Sequence, residues 1–323
     1  MSRERTMHLG ISFSPGSGSA AADLNFGLFA QLVRKAEANT LDIVLLADAA
    51  PFEATTLAAA LATVTSRIGF VAEASTVAHQ PYNLARRFAS LDVISHGRTG
   101  WKVSMTQNPL EAANFSRPNG FSTDDFRRRA EEYIDIVQGL WKGWDTDALL
   151  FDKSGGRFHD PEKMHLLDHK GEFFSVRGPL NVARSPQDTP VLVMAGLSAS
   201  DMDIAARVAD VVLTDETSPE SAKAFHDDLA TRAVARGRDP DAVKILVTLE
   251  PSGTPVEFAD RLEAQFRAGS CNGFNFVLPS QMDALDDFVG RILPELRQRG
   301  LARHDYDGAT LRANLGLAAG GAS

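Results

Sequence analysis

The sequence predicts an α/β protein folded as a (β/α)8 TIM barrel, and three observations predict it. Eight short apolar runs rich in β-branched and aromatic residues are spaced along the 323 residues. Between them lie segments with helical periodicity, the alternation that builds a parallel sheet with helices on its outside. An open doubly wound sheet, the runner-up, would want a glycine fingerprint after its first strand. Here Gly16-Ser17-Gly18 stands alone, with no helix opening behind it.

Strands are expected at 8–13, 42–47, 68–72, 100–105, 190–194, 210–214, 244–249 and 273–278. The helix at 26–39 puts Leu28, Leu32 and Ala36 on one face. After the second strand, Ala49-Ala50-Pro51 runs almost straight into the next helix. The segment 83–95 repeats Leu84, Phe88 and Leu91, and 124–141 groups Ile134, Val137 and Trp141. Later helices are expected at 199–208, 219–236, 256–268 and 282–299. Ser218-Pro219 and Thr254-Pro255 are start signals, and Gly300 is a stop. The stretch from about 143 to 189 breaks the alternation; it is long, polar and punctuated by Gly and Pro. It reads as an insertion between strands 4 and 5, with a hairpin at 173–177. The tail, 301–323, ends in Gly and Ala and is expected to be partly mobile. The chain reads as one domain, 1–323.

The fifth strand leads through Ala195-Gly196-Leu197-Ser198 into a helix. Free backbone N–H groups at such an elbow favour an anion, glycine allows close approach, and Ser198 adds a hydroxyl donor. The same elbow is also an ordinary way to turn a strand into a helix.

Composition removes several classes of function. The net charge is −9, and an acidic surface opposes binding to nucleic acid or to anionic membranes. Cys271 is the one cysteine, so no internal disulfide forms, and with no His or acidic partner nearby in sequence it reads as inert. The eight histidines show no H-x-x-x-H or H-E-x-x-H spacing, so no metal is expected. No signal peptide or membrane span is read, and the cytoplasm is the expected compartment.

The motifs, taken together, resemble those of a known family. They are His8-Leu9-Gly10, Leu45-Leu46-Ala47-Asp48, the run from Thr56 to Gly69, Pro81-Tyr82 through Asp92, and Gly97 through Trp101. Glu111 to Phe115, Arg129 to Tyr133 and Val176 to Asn181 continue the series. The chain resembles the bacterial-luciferase-like flavin monooxygenases, in the branch of nitrilotriacetate, EDTA, dibenzothiophene-sulfone and long-chain alkane monooxygenases. The likeness runs from about 7 to 250 and from 253 to about 317. It implies a TIM barrel binding reduced FMN at the C-terminal ends of its strands. A separate NAD(P)H-dependent flavin reductase supplies the FMN, and O₂ reacts with it to a peroxyflavin that oxygenates a small organic substrate. It also implies a homodimer or tetramer. The chain departs from the family in lacking a loop after Asp48 and a large segment near 250–253 that covers the barrel mouth.

The resemblance assigns flavin positions residue by residue. Asp48 lies beside the ring, or is a helix cap. Glu73 replaces a threonine near the ring, where its charge opposes an anionic reduced flavin unless it is protonated or turned away. Asn108 follows strand 4 in the family pattern and equally suits a turn. Thr123 and Arg127 stand where the family has a His and a Tyr that reach the phosphate; Thr123 also suits a helix start, and Arg127 a solvated basic face. Gly196 and Ser198 retain the phosphate elbow, with Leu197 in place of a serine. His79 faces the mouth or makes an ordinary polar contact, and Trp101 reads as core. No residue is assigned a catalytic role. Two alternatives keep the barrel: a flavin-binding or non-catalytic relative with a degenerate site, and an oxidoreductase using a deazaflavin.

Overall fold

The computed structural model describes residues 6–14, 25–49, 51–115 and 119–318. The chain begins β1 (His8–Ser14), α1 (Phe26–Ala38), β2 (Ile43–Leu46), α2 (Ala54–Ala62), β3 (Gly69–Glu73), α3 (Pro81–Ile94), β4 (Thr99–Ser104), α4 (Pro109–Asn114) and α5 (Thr123–Trp141). Four short strands follow: β5 (Leu149–Asp152), β6 (Arg157–His159), β7 (His169–Lys170) and β8 (Ser175–Val176). The alternation resumes with β9 (Val191–Ala195), α6 (Met202–Val208), β10 (Val211–Thr214), α7 (Pro219–Ala235), β11 (Lys244–Leu249), α8 (Pro255–Arg267) and β12 (Gly273–Pro279). The chain closes with α9 (Met282–Asp287), α10 (Leu293–Gln298) and α11 (Leu311–Asn314).

Eight strands pair in parallel in the order β1-β2-β3-β4-β9-β10-β11-β12 and close when β12 meets β1. This is the predicted barrel. Strand alternation sorts its side chains into two cores. Leu9, Ile11, Phe70, Trp101, Leu192, Met194, Phe274 and Phe276 pack outward with the helices. Ile43, Leu45, Val71, Val191, Val193, Val211 and Leu246 fill the inside. Trp101 is fully buried, and its Nε1 donates to the carbonyl of Ala74 at 2.9 Å. Its ring meets Phe88, Tyr133 and Trp141, which lock α3 and α5 onto β4.

Helix starts follow the expected chemistry. Ser218 caps α7, and Thr254 with Glu257 forms a capping box at α8. The predicted helix 282–299 is interrupted instead, with a π turn at Phe288–Ile292 between α9 and α10. Pro294 has no N–H to give to the previous turn, so the regular ladder cannot run through.

The insertion holds two hairpins. The expected one turns earlier than predicted, with Gly171 N–H bonded to the Phe174 carbonyl at 2.9 Å between β7 and β8. Glu132 of α5 fixes it by accepting from the backbone of Phe173 and Phe174 and from His169. The β5–β6 hairpin was not expected.

The described part of the tail is packed against the barrel as far as Leu317. Leu311, Leu315 and Leu317 enter the barrel interior beside Val71, Val191 and Val211. Two buried arginines hold it there. Arg303 pairs with Asp42 at 3.2 Å, and Arg312 pairs with Asp210 at 2.6 Å. Burial pushes the Asp42 carboxyl up to about 6, against the pull of Arg303. Residues 319–323 lie outside the described residues, as does Gly16-Ser17-Gly18.

Candidate functional site

Parallel barrel strands all point their C-terminal ends to one face, where the loops assemble sites. On that face the ends of β2, β3 and β4 open on a cleft of about 270 Å³. Asp48, Glu73, Ser75, Ser104, Thr106, Gln107, Asn108, Glu111 and Phe126 line it. The structure therefore brings Asp48, Glu73 and Asn108 together, as expected for one site.

Each is held by local chemistry. Asp48 is exposed, and its Oδ1 accepts from the Ala54 N–H at the start of α2, 3.2 Å away. Asn108 caps α4, accepting from Leu110 N–H at 3.0 Å and Glu111 N–H at 3.4 Å. Gln107 ties the next loop shut: it accepts from Phe121 N–H at 2.7 Å and donates to the Phe121 carbonyl at 3.0 Å. Buried Arg129 donates to the Thr76 carbonyl at 2.7 Å and lies over the Phe121 and Phe174 rings. It so fixes the loop after β3.

Glu73 faces the barrel interior, one quarter of its side chain exposed. It is paired with the Lys102 ammonium at 3.1 Å, directly across the β3–β4 register. Lys102 was missed in the sequence. The signal was there: a lysine between buried Trp101 and Val103 faces the barrel interior by strand alternation. Also in the interior, Ser12 Oγ donates to Asn275 Oδ1 at 3.1 Å. Burial raises the Glu111 carboxyl above its ordinary range, with Asp48 and Glu73 adding to the rise and Ser75 opposing it.

His79 is half-buried outside this cleft lining. Burial, then the charge of Arg87, lower its proton affinity, against Glu53 and Asp48. Its ring is thus biased toward the neutral form.

The elbow differs from expectation in one way that matters. Gly196 has φ +66, and a Cβ there would lie 2.7 Å from Thr106 Oγ1, so the turn itself requires glycine. The helix begins at Met202 and not at Ala199. Leu197 is half-buried and Ser198 exposed. Ser198 is already engaged: its N–H reaches Asp201 Oδ2 at 2.9 Å and its hydroxyl reaches the same oxygen at 2.5 Å. Arg127 lies on this side, donating to the Ser200 carbonyl at 3.2 Å. Thr123 is exposed, and the cap of α5 is Ser122, which accepts from Asp125 N–H at 3.1 Å.

Among the described residues, the connections at the mouth include short and exposed segments. Only residues 250–254 join β11 to α8. Leu110 and Phe115 on and after α4 are 82 % and 46 % exposed. Among the described residues there is no cluster of three or more His, Cys, Asp or Glu able to hold a metal ion. No helix among them is long and apolar enough to cross a membrane.

Comparison with known proteins places this geometry. Residues 7–271 match the luciferase-like monooxygenase family. The chain is 31 % identical to N-acetyl-S-(2-succino)cysteine monooxygenase of Bacillus subtilis (strain 168), with 97 % of the chain and 94 % of the relative covered. That alignment spans 416 positions against a chain of 323 residues, so the relative carries segments with no counterpart here. Nitrilotriacetate monooxygenase component A of Aminobacter aminovorans is 32 % identical, covering 92 % of the chain and 91 % of the relative. The EDTA monooxygenase structure from Chelativorans sp. BNC1 superposes with a TM-score of 0.88 at 25 % identity, covering 97 % and 99 % of the two chains.

Proposed function

Because the chain belongs to the luciferase-like monooxygenase family, we propose that it is a two-component monooxygenase that oxygenates a small organic substrate with O₂ and reduced FMN. The observation that carries this reading is the cleft at the strand ends, which gathers Asp48, Glu73 and Asn108 with the Glu73 charge matched by Lys102. That pairing removes the electrostatic obstacle to a reduced, anionic ring. A volume of about 270 Å³ suits one end of a flavin, below the ~300–1,000 Å³ of sites that enclose a whole ligand.

Asp48, Glu73 and Asn108 would hold the ring end. Gly196, Leu197 and Ser198 at the elbow, with Thr123 and Arg127 on α5, would face the ribityl phosphate end. Bound reduced flavin supplies two electrons, the substrate two more, and O₂ gives one atom to the product and one to water. The protein orients the ring and substrate and excludes bulk water. A separate NAD(P)H-dependent reductase would supply the flavin. A single buried cysteine, Cys271, with no second cysteine in the sequence to pair with, suits the cytoplasm.

The test is turnover. With FMN, NADH and a generic flavin reductase, a panel of small sulfur- and nitrogen-bearing organic compounds should yield a product carrying one ¹⁸O atom from ¹⁸O₂. Product labelled instead from H₂¹⁸O would exclude oxygenation by O₂. A deazaflavin oxidoreductase is supported only by the shared fold.

The exposed apolar side chains of Leu110 and Phe115 support a homodimer. Sedimentation at micromolar concentration should give twice the 34.9 kDa chain mass. A single monomeric species would contradict the dimer and leave the oxygenation reading standing.

A further inference from the structure

We propose that Asp201 keeps the phosphate elbow closed, so that this chain recognises a flavin by its ring and does not distinguish FMN from riboflavin. The inference rests on the flavin reading above, and it concerns a residue to which that reading gives no role.

A phosphate at a strand-to-helix turn uses the free backbone N–H groups and any hydroxyl beside them. Here both Ser198 donors already point at one carboxylate oxygen, Asp201 Oδ2, at 2.9 and 2.5 Å. Ser200 Oγ completes the turn, 2.8 Å from Ser198 Oγ. Asp201 is only 5 % exposed, so its carboxylate is part of the packed turn and not a loose surface acid. It does what a bound anion would do: it satisfies donors at the entry to a helix. An incoming phosphate would have to break two charge-assisted hydrogen bonds and then sit against a fixed negative charge. The nearby cation, Arg127, already donates to the Ser200 carbonyl of the same turn at 3.2 Å. The helix behind the elbow, α6, has seven residues, so its dipole does little to offset that repulsion.

The ring end carries no such block. Asp48, Asn108 and the neutralised Glu73–Lys102 pair stand at the ends of β2, β3 and β4, whereas the Asp201 carboxylate is spent on Ser198. Ring contacts should therefore dominate affinity. A flavin held this way exchanges readily with the protein that supplies it, because its tail adds little to the residence time.

The test compares FMN, riboflavin and inorganic phosphate on the full chain and two variants. Asp201→Asn keeps an acceptor for the Ser198 N–H and removes the charge; Asp201→Gly removes both. Thermal melts of each establish that the fold is retained. The unaltered protein should bind FMN and riboflavin within about threefold of each other. Both variants should bind FMN tenfold or more tightly than the unaltered chain, with riboflavin affinity unchanged. Inorganic phosphate should then compete with FMN in the variants alone. A tenfold preference for FMN in the unaltered chain overturns the proposal, as does an Asp201→Asn variant that folds and gains nothing. If no form binds either flavin, the flavin reading fails instead. Phosphate alone then decides this proposal: it stands if phosphate raises the melting temperature of Asp201→Gly but not of the unaltered chain, and falls otherwise.

Discussion

Gly273→Ala is expected to abolish or cripple folding. Gly273 opens β12 and pairs with His8 at the seam where the last strand closes the barrel on the first. A Cβ at this position would lie 2.0 Å from the His8 carbonyl oxygen and 2.6 Å from its amide nitrogen. Both are backbone atoms, so no rotamer change relieves the clash; the seam itself must part. Overpacking of a well-filled interior costs ~1–3 kcal/mol where side chains can give, and more where only backbone can. That is a large share of the ~5–15 kcal/mol that holds a domain folded. Soluble yield and the denaturant midpoint read the effect. Gly290→Ala is the control: nothing lies within 4 Å of a Cβ there, and the midpoint should barely move. A well-folded Gly273→Ala protein with an unchanged midpoint would mean that the barrel does not close at this pair.

Lys102→Met is expected to weaken binding of reduced FMN by about ten- to a hundredfold. The substitution keeps the length and apolar stem of the side chain but strands the Glu73 carboxylate, now 3.1 Å from the lysine ammonium, at the edge of the cleft. Two like charges several ångströms apart at an effective dielectric of ~20 repel by on the order of 2–4 kcal/mol. The pair is partly solvated, with side chains 20 % and 25 % exposed, which trims that figure toward the lower end. Each ~1.4 kcal/mol is tenfold in affinity. Oxidised FMN, whose ring is neutral, should lose much less. Adding Glu73→Gln should restore most of the loss, because it removes the charge that the lysine had balanced. If Lys102→Met weakens both redox forms equally and Glu73→Gln restores nothing, the pair supports the strand ends and has no part in reading the flavin.

The barrel was legible because two simple periods dominate this chain. Runs such as Val191–Ala195 are continuous and apolar because both faces are buried, and helices such as α5 show an apolar stripe between capped ends. The site was legible in part for the same reason: Asp48, Glu73 and Asn108 stand at strand ends, and the fold sends every strand end to one face. What escaped the sequence depends on pairing across the chain. Lys102 matters only because register sets it opposite Glu73. Asp201 carries no signal of its own in the sequence, and its effect on Ser198 appears only once the turn is built. The packing of the tail's first part escaped for a different reason. Leu311, Leu315 and Leu317 sit among Gly and Ala, too few to announce a helix by period, and their burial depends on a barrel whose open lower end needs filling. Arg303 and Arg312 could not be matched to Asp42 and Asp210 without the fold.

The claim that this barrel works with a reduced flavin is tested most directly by anaerobic titration of the purified full chain with photoreduced FMN. Saturable binding of one flavin per chain is expected, weakened by Lys102→Met as set out above. Absence of saturable binding by reduced FMN, in a chain shown by its melting curve to be folded, would contradict it.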